Sequence, residues 1–308
     1  MKVLFCGLGS IGTRHLKNLH AVAARKGVPV QAYALRSSAR ALPAGTKALL
    51  AGEFCTLPQG AQFDAAFLTN PTSLHYGTLC ALRGKAGALF IEKPIFDAPG
   101  KNLDACLAPG QKAYVAAPMR WCGVMLALKR LLPQLKPYSA RVICSSYLPD
   151  WRPGVDYRTV YSAHRAMGGG VAIDLIHEWD YLAELFGMPR QVYCLKGTYS
   201  ELELDSDDLA VYIARYDTLL AEVHLDYFGR TYRRSIELFC KDGTVTADFG
   251  AGTLTLADGR VEAYEEPVNE RYVREMEYFL EYALHGMGES LNPPHTAQEV
   301  LKIALGEA

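Results

Sequence analysis

Residues 3–12 read VLFCGLGSIG, an apolar run that ends in G-x-G-x-x-G, and TRHLKNLHAVAARKG follows with helical texture. Strand, glycine turn and helix in that order are the opening of a dinucleotide-binding βαβ unit. Gly7 is predicted to allow the tight turn out of the strand. Gly9 would let the backbone approach a pyrophosphate, and Gly12 would let helix and strand pack closely. With Leu8, Ser10 and Ile11 they form the phosphate loop, where the free N–H groups and dipole of the helix N-terminus favour negative charge.

A chain of 308 residues exceeds one ordinary core and predicts two domains. Half of it is hydrophobic and the formal net charge is −1, so no electrostatic case exists for nucleic acid or an anionic membrane as partner. No apolar run approaches the ~20 residues that span a bilayer. Met1-Lys2 leads directly into the first strand, without the pattern of a signal peptide. The eight cysteines, at 6, 55, 80, 106, 122, 144, 194 and 240, form no C-x-x-C pair and mostly lie in apolar segments. They are expected to be reduced, buried small hydrophobes of a cytoplasmic protein, with no zinc or other metal site.

Up to residue 118 strand-like and helix-like stretches alternate: VPVQAYAL (28–35), FDAAFLTN (63–70), a helix at 73–85, ALFIEKP (88–94) and AYVAAPM (113–119). Such alternation predicts an α/β, doubly wound parallel sheet of Rossmann type, whose ligands bind at the carboxyl ends of the strands. The texture then changes. A helix near 121–132 leads to the strand ARVICSSYLP, a polar aromatic loop, and one helix entered through GGG at 168–170. Strands within 191–259 follow, separated by turns such as KDG and ADG, and helices near 268–285 and 296–306 close the chain. Residues 1–118 are therefore read as the nucleotide domain. Residues 119–308 are read as an α+β substrate and oligomerisation domain with a large, mostly antiparallel open sheet.

GLGSIGTRHLKNL (7–19), FDAAFLTNPTSLH (63–75), IEKP (91–94), PMRW (118–121) and GGGVAIDLIHEWDYL (168–182) together resemble the Gfo/Idh/MocA family of nicotinamide-dependent oxidoreductases. The resemblance covers nearly the whole chain. It implies hydride transfer to or from a carbon of a sugar, sugar nucleotide or related polyol, and a homodimer or homotetramer built on the C-terminal sheet. SYLPDWRPGVDYRTVYSA (146–163) resembles a subgroup of surface-polysaccharide and amino-sugar biosynthesis. Two other functions stay open within the family: net elimination, hydrolysis or epimerisation with tightly bound, recycled NAD, and non-catalytic dinucleotide sensing.

Lys93, in EKP after the fourth predicted strand, is the candidate to hydrogen-bond the reacting oxygen and stabilise developing alkoxide. The alternative is a surface lysine paired with Glu92, which with Lys93 is also placed at the cofactor. Asp174 and His177, three apart on a predicted helix, share a face and suit a proton relay. The resemblance puts an Asp and a His of this region beside the reacting carbon, usually four apart. The alternative is a helix-start carboxylate and a satisfied, buried histidine. Arg36, Ser37 and Arg40 follow the second strand where an acidic residue would bind a ribose 2′-hydroxyl. Guanidinium and hydroxyl groups fit a 2′-phosphate instead, which favours NADP(H) over NAD(H). The resemblance places Asn70, Pro71, Ser73 and His75 against the cofactor; Ser73 could equally cap the next helix, and His75 could equally fill its first turn. Arg120 and Trp121, at the expected domain junction, and Trp151, Arg152, Tyr157 and Arg165, in the aromatic loop, are candidates for binding an anionic sugar. The loop residues also suit a subunit interface.

Overall fold

The computed structural model of the chain describes residues 1–37, 40–286 and 288–307. It begins with β1 (Lys2–Cys6), α1 (Ser10–Arg25), β2 (Gln31–Leu35), α2 (Ala44–Lys47), β3 (Gly52–Phe54), β4 (Phe63–Leu68), α3 (His75–Ala81), β5 (Ala86–Ile91), α4 (Leu103–Cys106) and β6 (Lys112–Val115). Then come α5 (Gly123–Leu135), β7 (Ser139–Tyr147), α6 (Val171–Asp174), α7 (His177–Phe186), β8 (Gln191–Gly197), β9 (Leu209–Arg215), β10 (Leu220–Asp226), β11 (Phe228–Cys240), β12 (Gly243–Asp248), β13 (Thr253–Thr255) and β14 (Val261–Ala263). Helices α8 (Glu270–His285) and α9 (Pro294–Leu305) end it.

The chain divides into two compact units, residues 1–118 with 268–298, and residues 119–267 with 299–308. The second stretch of the first unit departs from the domain boundary expected from sequence. Its cause is apolar: Met276, Phe279 and Leu280 of α8 are fully buried in the core of the parallel sheet. Phe279 meets both Phe67 and Phe90 edge-on at 5.1 Å, beside the stacked pair Phe5–Phe67. Glu275 of the same helix accepts hydrogen bonds from the Tyr114 hydroxyl and the Ala117 N–H, and closes the polar ends of β6.

The first unit is the expected Rossmann sheet, six parallel strands in the order β3-β2-β1-β4-β5-β6. Four of them read as near-continuous apolar runs because both faces are covered. β3, only three residues long, was not legible. The second unit holds eight strands in the order β14-β13-β12-β11-β7-β10-β9-β8, mostly antiparallel, with β7 and β10 paired in parallel. Its strands alternate cleanly. Val142, Tyr212, Val223 and Ile236 lie on one buried face, while Arg141, Ile213, Glu222 and His224 lie on the other, open one.

The cysteines correct the sequence reading in part. Cys6, Cys122, Cys144 and Cys240 are buried thiols, and burial pushes Cys6 up to about 12. Cys80 and Cys106, on the neighbouring helices α3 and α4, are instead joined as a disulfide. Cys55 is exposed. Among the described residues no helix is long and apolar enough to cross a membrane, and no group of His, Cys, Asp or Glu could hold a metal ion.

Candidate functional site

The glycine loop of the first unit has the three properties its spacing predicts. Gly7 adopts φ +96°, and a Cβ there would lie 2.8 Å from the Asn70 backbone. A Cβ on Gly12 would fall 2.6 Å from the Gly7 carbonyl oxygen and 2.7 Å from Thr69 Oγ1, so α1 can approach β1 only without one. A Cβ on Gly9 would meet nothing within 4 Å. That side of the loop is open. Gly9 is the N-cap of α1, no side chain caps it, and the first turn holds no acidic residue. Leu8 and Ile11 are half-buried, whereas Gly9 and Ser10 are exposed. The backbone donors and the positive end of the dipole are thus presented to an anion. These residues fit the pyrophosphate of a dinucleotide.

Because the strands are parallel, their carboxyl ends lie along one edge in the order β2, β1, β4, β5. Arg36, the glycine loop, Asn70 and Lys93 follow along it in that order. Three strand spacings amount to about 14 Å, the scale of an extended dinucleotide. Arg36 sits at one end and Lys93 at the other.

The residues after β4 and β5 divide into outward and inward groups. Pro71 and Ser73 are exposed. Ser73 lies in a 3₁₀ turn at 72–74, and no side chain caps α3, so the capping alternative is not realised. Asn70 donates to Thr78 Oγ1 at 2.8 Å, and its buried Oδ1 has no hydrogen-bond partner. His75 is buried, with Nδ1 3.1 Å from the Ile95 carbonyl oxygen and Nε2 3.1 Å from that of Asn70. Burial holds its pKa down despite both carbonyls. The ring is a strut between two loops. Glu92 is likewise turned inward, with Oε1 2.5 Å from Nε2 of the fully buried His15. Burial pushes its carboxyl up, but the hydrogen bond and charge of His15, aided by Lys93, hold it below its ordinary value. Glu92 Oε2 accepts the backbone N–H of Lys93 at 3.1 Å. The carboxylate therefore braces the segment that carries Lys93, which is half-buried at the mouth of β5.

Arg36 is not the open cation that the sequence suggested. Its Nη1 lies 2.6 Å from Glu53 Oε2, and its Nη2 donates to the Arg40 carbonyl oxygen. Ser37 and Arg40 are exposed beside it, and Ser38 and Ala39 lie outside the described residues.

In the second unit Asp174 and His177 do not share one continuous helix. Asp174 closes α6 and His177 opens α7, because Leu175 (φ −96°, ψ 29°) leaves the helical region. Leu175 and Ile176 are both buried, as are the residues on either side of His177, so the chain turns inward at consecutive positions that one helix would spread around its axis. Asp174 is buried and accepts from two phenols, Tyr161 at 2.7 Å and Tyr227 at 2.6 Å. Burial, then the charge of Asp174, pushes both tyrosines up, so each remains a donor. Neither tyrosine was singled out from sequence; Tyr161 lies within the quoted aromatic loop, while Tyr227 lies 53 residues from Asp174.

That loop folds around the pair. Trp151 meets the Tyr227 ring edge-on at 5.3 Å and donates to Ser146 Oγ. The Arg152 guanidinium lies 5.8 Å from the Tyr161 ring centre. Tyr157 accepts the Glu203 N–H through its hydroxyl, and the exposed Arg165 reaches Asp207 at 3.7 Å. Trp151, Arg152, Tyr161 and Arg165 are each exposed, and of them Tyr161 reaches Asp174.

Arg120 departs from its expected role. It is buried, doubly bonded to Asp180 and bonded to Glu184, and so ties its 3₁₀ turn to α7. Trp121, in the same turn, is half-buried. Glu178, fully buried, binds Arg234 of β11 through both oxygens at 2.7 and 3.0 Å.

Residues 136–246 match the GFO/IDH/MocA C-terminal domain family. No curated protein sequence matches the chain. Among solved structures, the WlbA dehydrogenase from Bordetella pertussis, in complex with NADH and UDP-GlcNAcA, is similar over 99% of this chain and 94% of its own at 19% identity, with a TM-score of 0.77. A levoglucosan dehydrogenase in complex with NADH and levoglucosan gives 17% identity over 99% and 95%, with a TM-score of 0.82. The myo-inositol 2-dehydrogenase from Lactobacillus plantarum gives 18% over 99% and 95%, with a TM-score of 0.77. At these identities the likeness is one of fold.

Proposed function

We infer, from the match of residues 136–246 to the GFO/IDH/MocA C-terminal domain and the fold shared with these dehydrogenases along the chain, a member of that family and a nicotinamide-dependent oxidoreductase acting on a CH–OH group of a sugar or sugar derivative. The observation that carries this reading is the order of groups along one sheet edge. An open, uncapped phosphate loop lies centrally, with Lys93 at the nicotinamide end.

The dinucleotide, when bound, supplies the hydride acceptor or donor. The chain supplies the rest. α1 and the open side of Gly9 hold the phosphates. Lys93, braced through its N–H by Glu92, hydrogen-bonds the reacting oxygen and passes its proton. In the second unit, Tyr161 and Tyr227 fix Asp174, and the surface of Trp151, Arg152 and Arg165 stacks on and neutralises an anionic sugar. His177, the first residue of α7, is the second proton carrier. The neighbours solved with UDP-GlcNAcA and with levoglucosan, and the myo-inositol 2-dehydrogenase, support a sugar or cyclitol substrate.

The open face of the second sheet is the surface we assign to a second copy of the chain. Leu195, Tyr193 and Ile213 form an exposed apolar stripe there, on the edge strand and its neighbour.

The test is a panel of UDP-sugars, uronic acids, hexoses and inositols with oxidised and reduced nicotinamide dinucleotides, read by nicotinamide absorbance. Turnover with one class is expected, and Lys93→Ala should abolish it while NADH binding persists. Near-normal turnover by that variant, or no turnover with any of the panel, would overturn the assignment.

A further inference from the structure

The register of the nucleotide sheet puts an acidic residue where the sequence motif showed none. Ala34 of β2 pairs with Glu53 of β3, and Leu35 pairs with Phe54. The Arg36 N–H donates to the Phe54 carbonyl oxygen at 2.9 Å, which extends the pairing one residue beyond β2. Side chains two apart on a strand share a face, so Arg36 lies on the Glu53 side and its guanidinium folds back onto that carboxylate at 2.6 Å. Its second Nη is taken by the Arg40 carbonyl oxygen. The Arg36 side chain is 15% exposed and that of Glu53 33%. The Gly7 N–H donates to the Leu35 carbonyl oxygen at 3.1 Å, which binds this corner directly to the phosphate loop.

Two ligand chemistries would see this corner differently. A 2′-phosphate needs the bidentate fork of an arginine and brings a strong negative charge. Here both Nη groups are occupied, and a carboxylate stands beside the place the phosphate would take. A neutral 2′-hydroxyl brings no charge to repel, and it can donate to Glu53 while the Arg36–Glu53 pair stays intact.

We propose that Glu53 is a specificity-determining residue: by holding Arg36 it makes the adenosine-ribose corner select a 2′-hydroxyl, NAD(H), over a 2′-phosphate, NADP(H). This rests on the nicotinamide reading above and replaces the preference that Arg36 alone suggested. The role belongs to β3, outside the fingerprint and β2.

The test is a fluorescence titration of the purified protein with NADH and with NADPH, using wild type, Glu53→Gln, Arg36→Ala and the double variant. Wild type should bind NADH tighter by about tenfold, 1.4 kcal/mol. Glu53→Gln should shift the ratio toward NADPH by about tenfold, as expected for freeing charge-assisted donors. In the Arg36→Ala background the same substitution should move the ratio by less than about twofold. Wild-type preference for NADPH, an unchanged ratio in Glu53→Gln, or an equal shift without Arg36 would each overturn the proposal while leaving the oxidoreductase reading intact. Binding of neither dinucleotide would overturn both.

Discussion

Gly9 and Gly12 are separated by one turn of chain and should fail in opposite ways when replaced by alanine. At Gly12 the added methyl would sit 2.6 Å from a backbone oxygen and 2.7 Å from Thr69 Oγ1, and the backbone cannot rotate away as a flexible side chain would. Overpacking of this kind costs about 1–3 kcal/mol. For a unit of this size each kcal/mol lowers Tm by about 2–4 °C, so Gly12→Ala should melt roughly 2–12 °C below wild type. At Gly9 the methyl meets nothing, and φ is −73°, where any residue is at ease. Alanine is a poorer N-cap than glycine but restricts the unfolded chain, so the two effects nearly cancel, within about 1 kcal/mol. Its methyl does block the side from which a pyrophosphate must approach. Loss of one charge-assisted backbone contact costs about 1.5–3 kcal/mol, or about ten- to a hundredfold in affinity. Differential scanning fluorimetry and NADH titration read the two effects separately. Wild-type NADH affinity in a folded Gly9→Ala would refute the placement of the phosphates, and a wild-type Tm in Gly12→Ala would refute the packing argument.

Two other outcomes follow from the same geometry. Leu195 is 77% exposed on an edge strand beside Tyr193 and Ile213, so Leu195→Asp should convert an oligomer to monomer in light scattering; a monomeric wild type would refute the assigned interface. Burial holds the His75 pKa below its ordinary value of about 6.5. The folded state then binds that proton less readily than the unfolded chain, so stability is full above pH ~6.5 and falls as pH drops below it. Glu92, also held low, adds a further loss only below about pH 4.3. His75→Gln should flatten Tm against pH in the upper window and leave the lower one; an unchanged slope would refute the assignment.

What the sequence made legible was local. G-x-G-x-x-G states its own backbone requirements, and all three were recovered because each is a steric condition on one residue. Strands β1, β4 and β5 were legible because burial on both faces makes them apolar throughout. Long-range pairing was not. Nothing in YVREMEYFLEYALHG says that its apolar face belongs to the first unit, since an amphipathic helix is satisfied by any apolar partner. The Tyr161–Asp174–Tyr227 cluster joins positions 13 and 53 residues apart. Cys80 and Cys106, 26 residues apart, gave no spacing signal for a bond. Glu53 stands in a three-residue strand too short for periodicity, and its charge matters only once the register sets it beside Arg36.

The segment IHEWD shows how charge in a motif divides between holding and reacting. Both of its acids are committed. Glu178 binds Arg234 through both oxygens, and Asp180 binds Arg120 through both of its own. Both carboxylates are buried. Buried ion pairs add little net stability, because desolvation offsets the attraction, yet breaking one leaves an uncompensated charge. Their effect is geometric. Glu178 fixes the first turn of α7 to β11, and Asp180 fixes it to the 3₁₀ turn at 118–121. A helix pinned on two sides within its first turn has little freedom to rotate. His177, its first residue, therefore starts from a fixed stretch of backbone, the support that the proton-handling role proposed above would require. The acids that make this motif recognisable thus mount the start of α7, which carries the histidine proposed above to handle the proton.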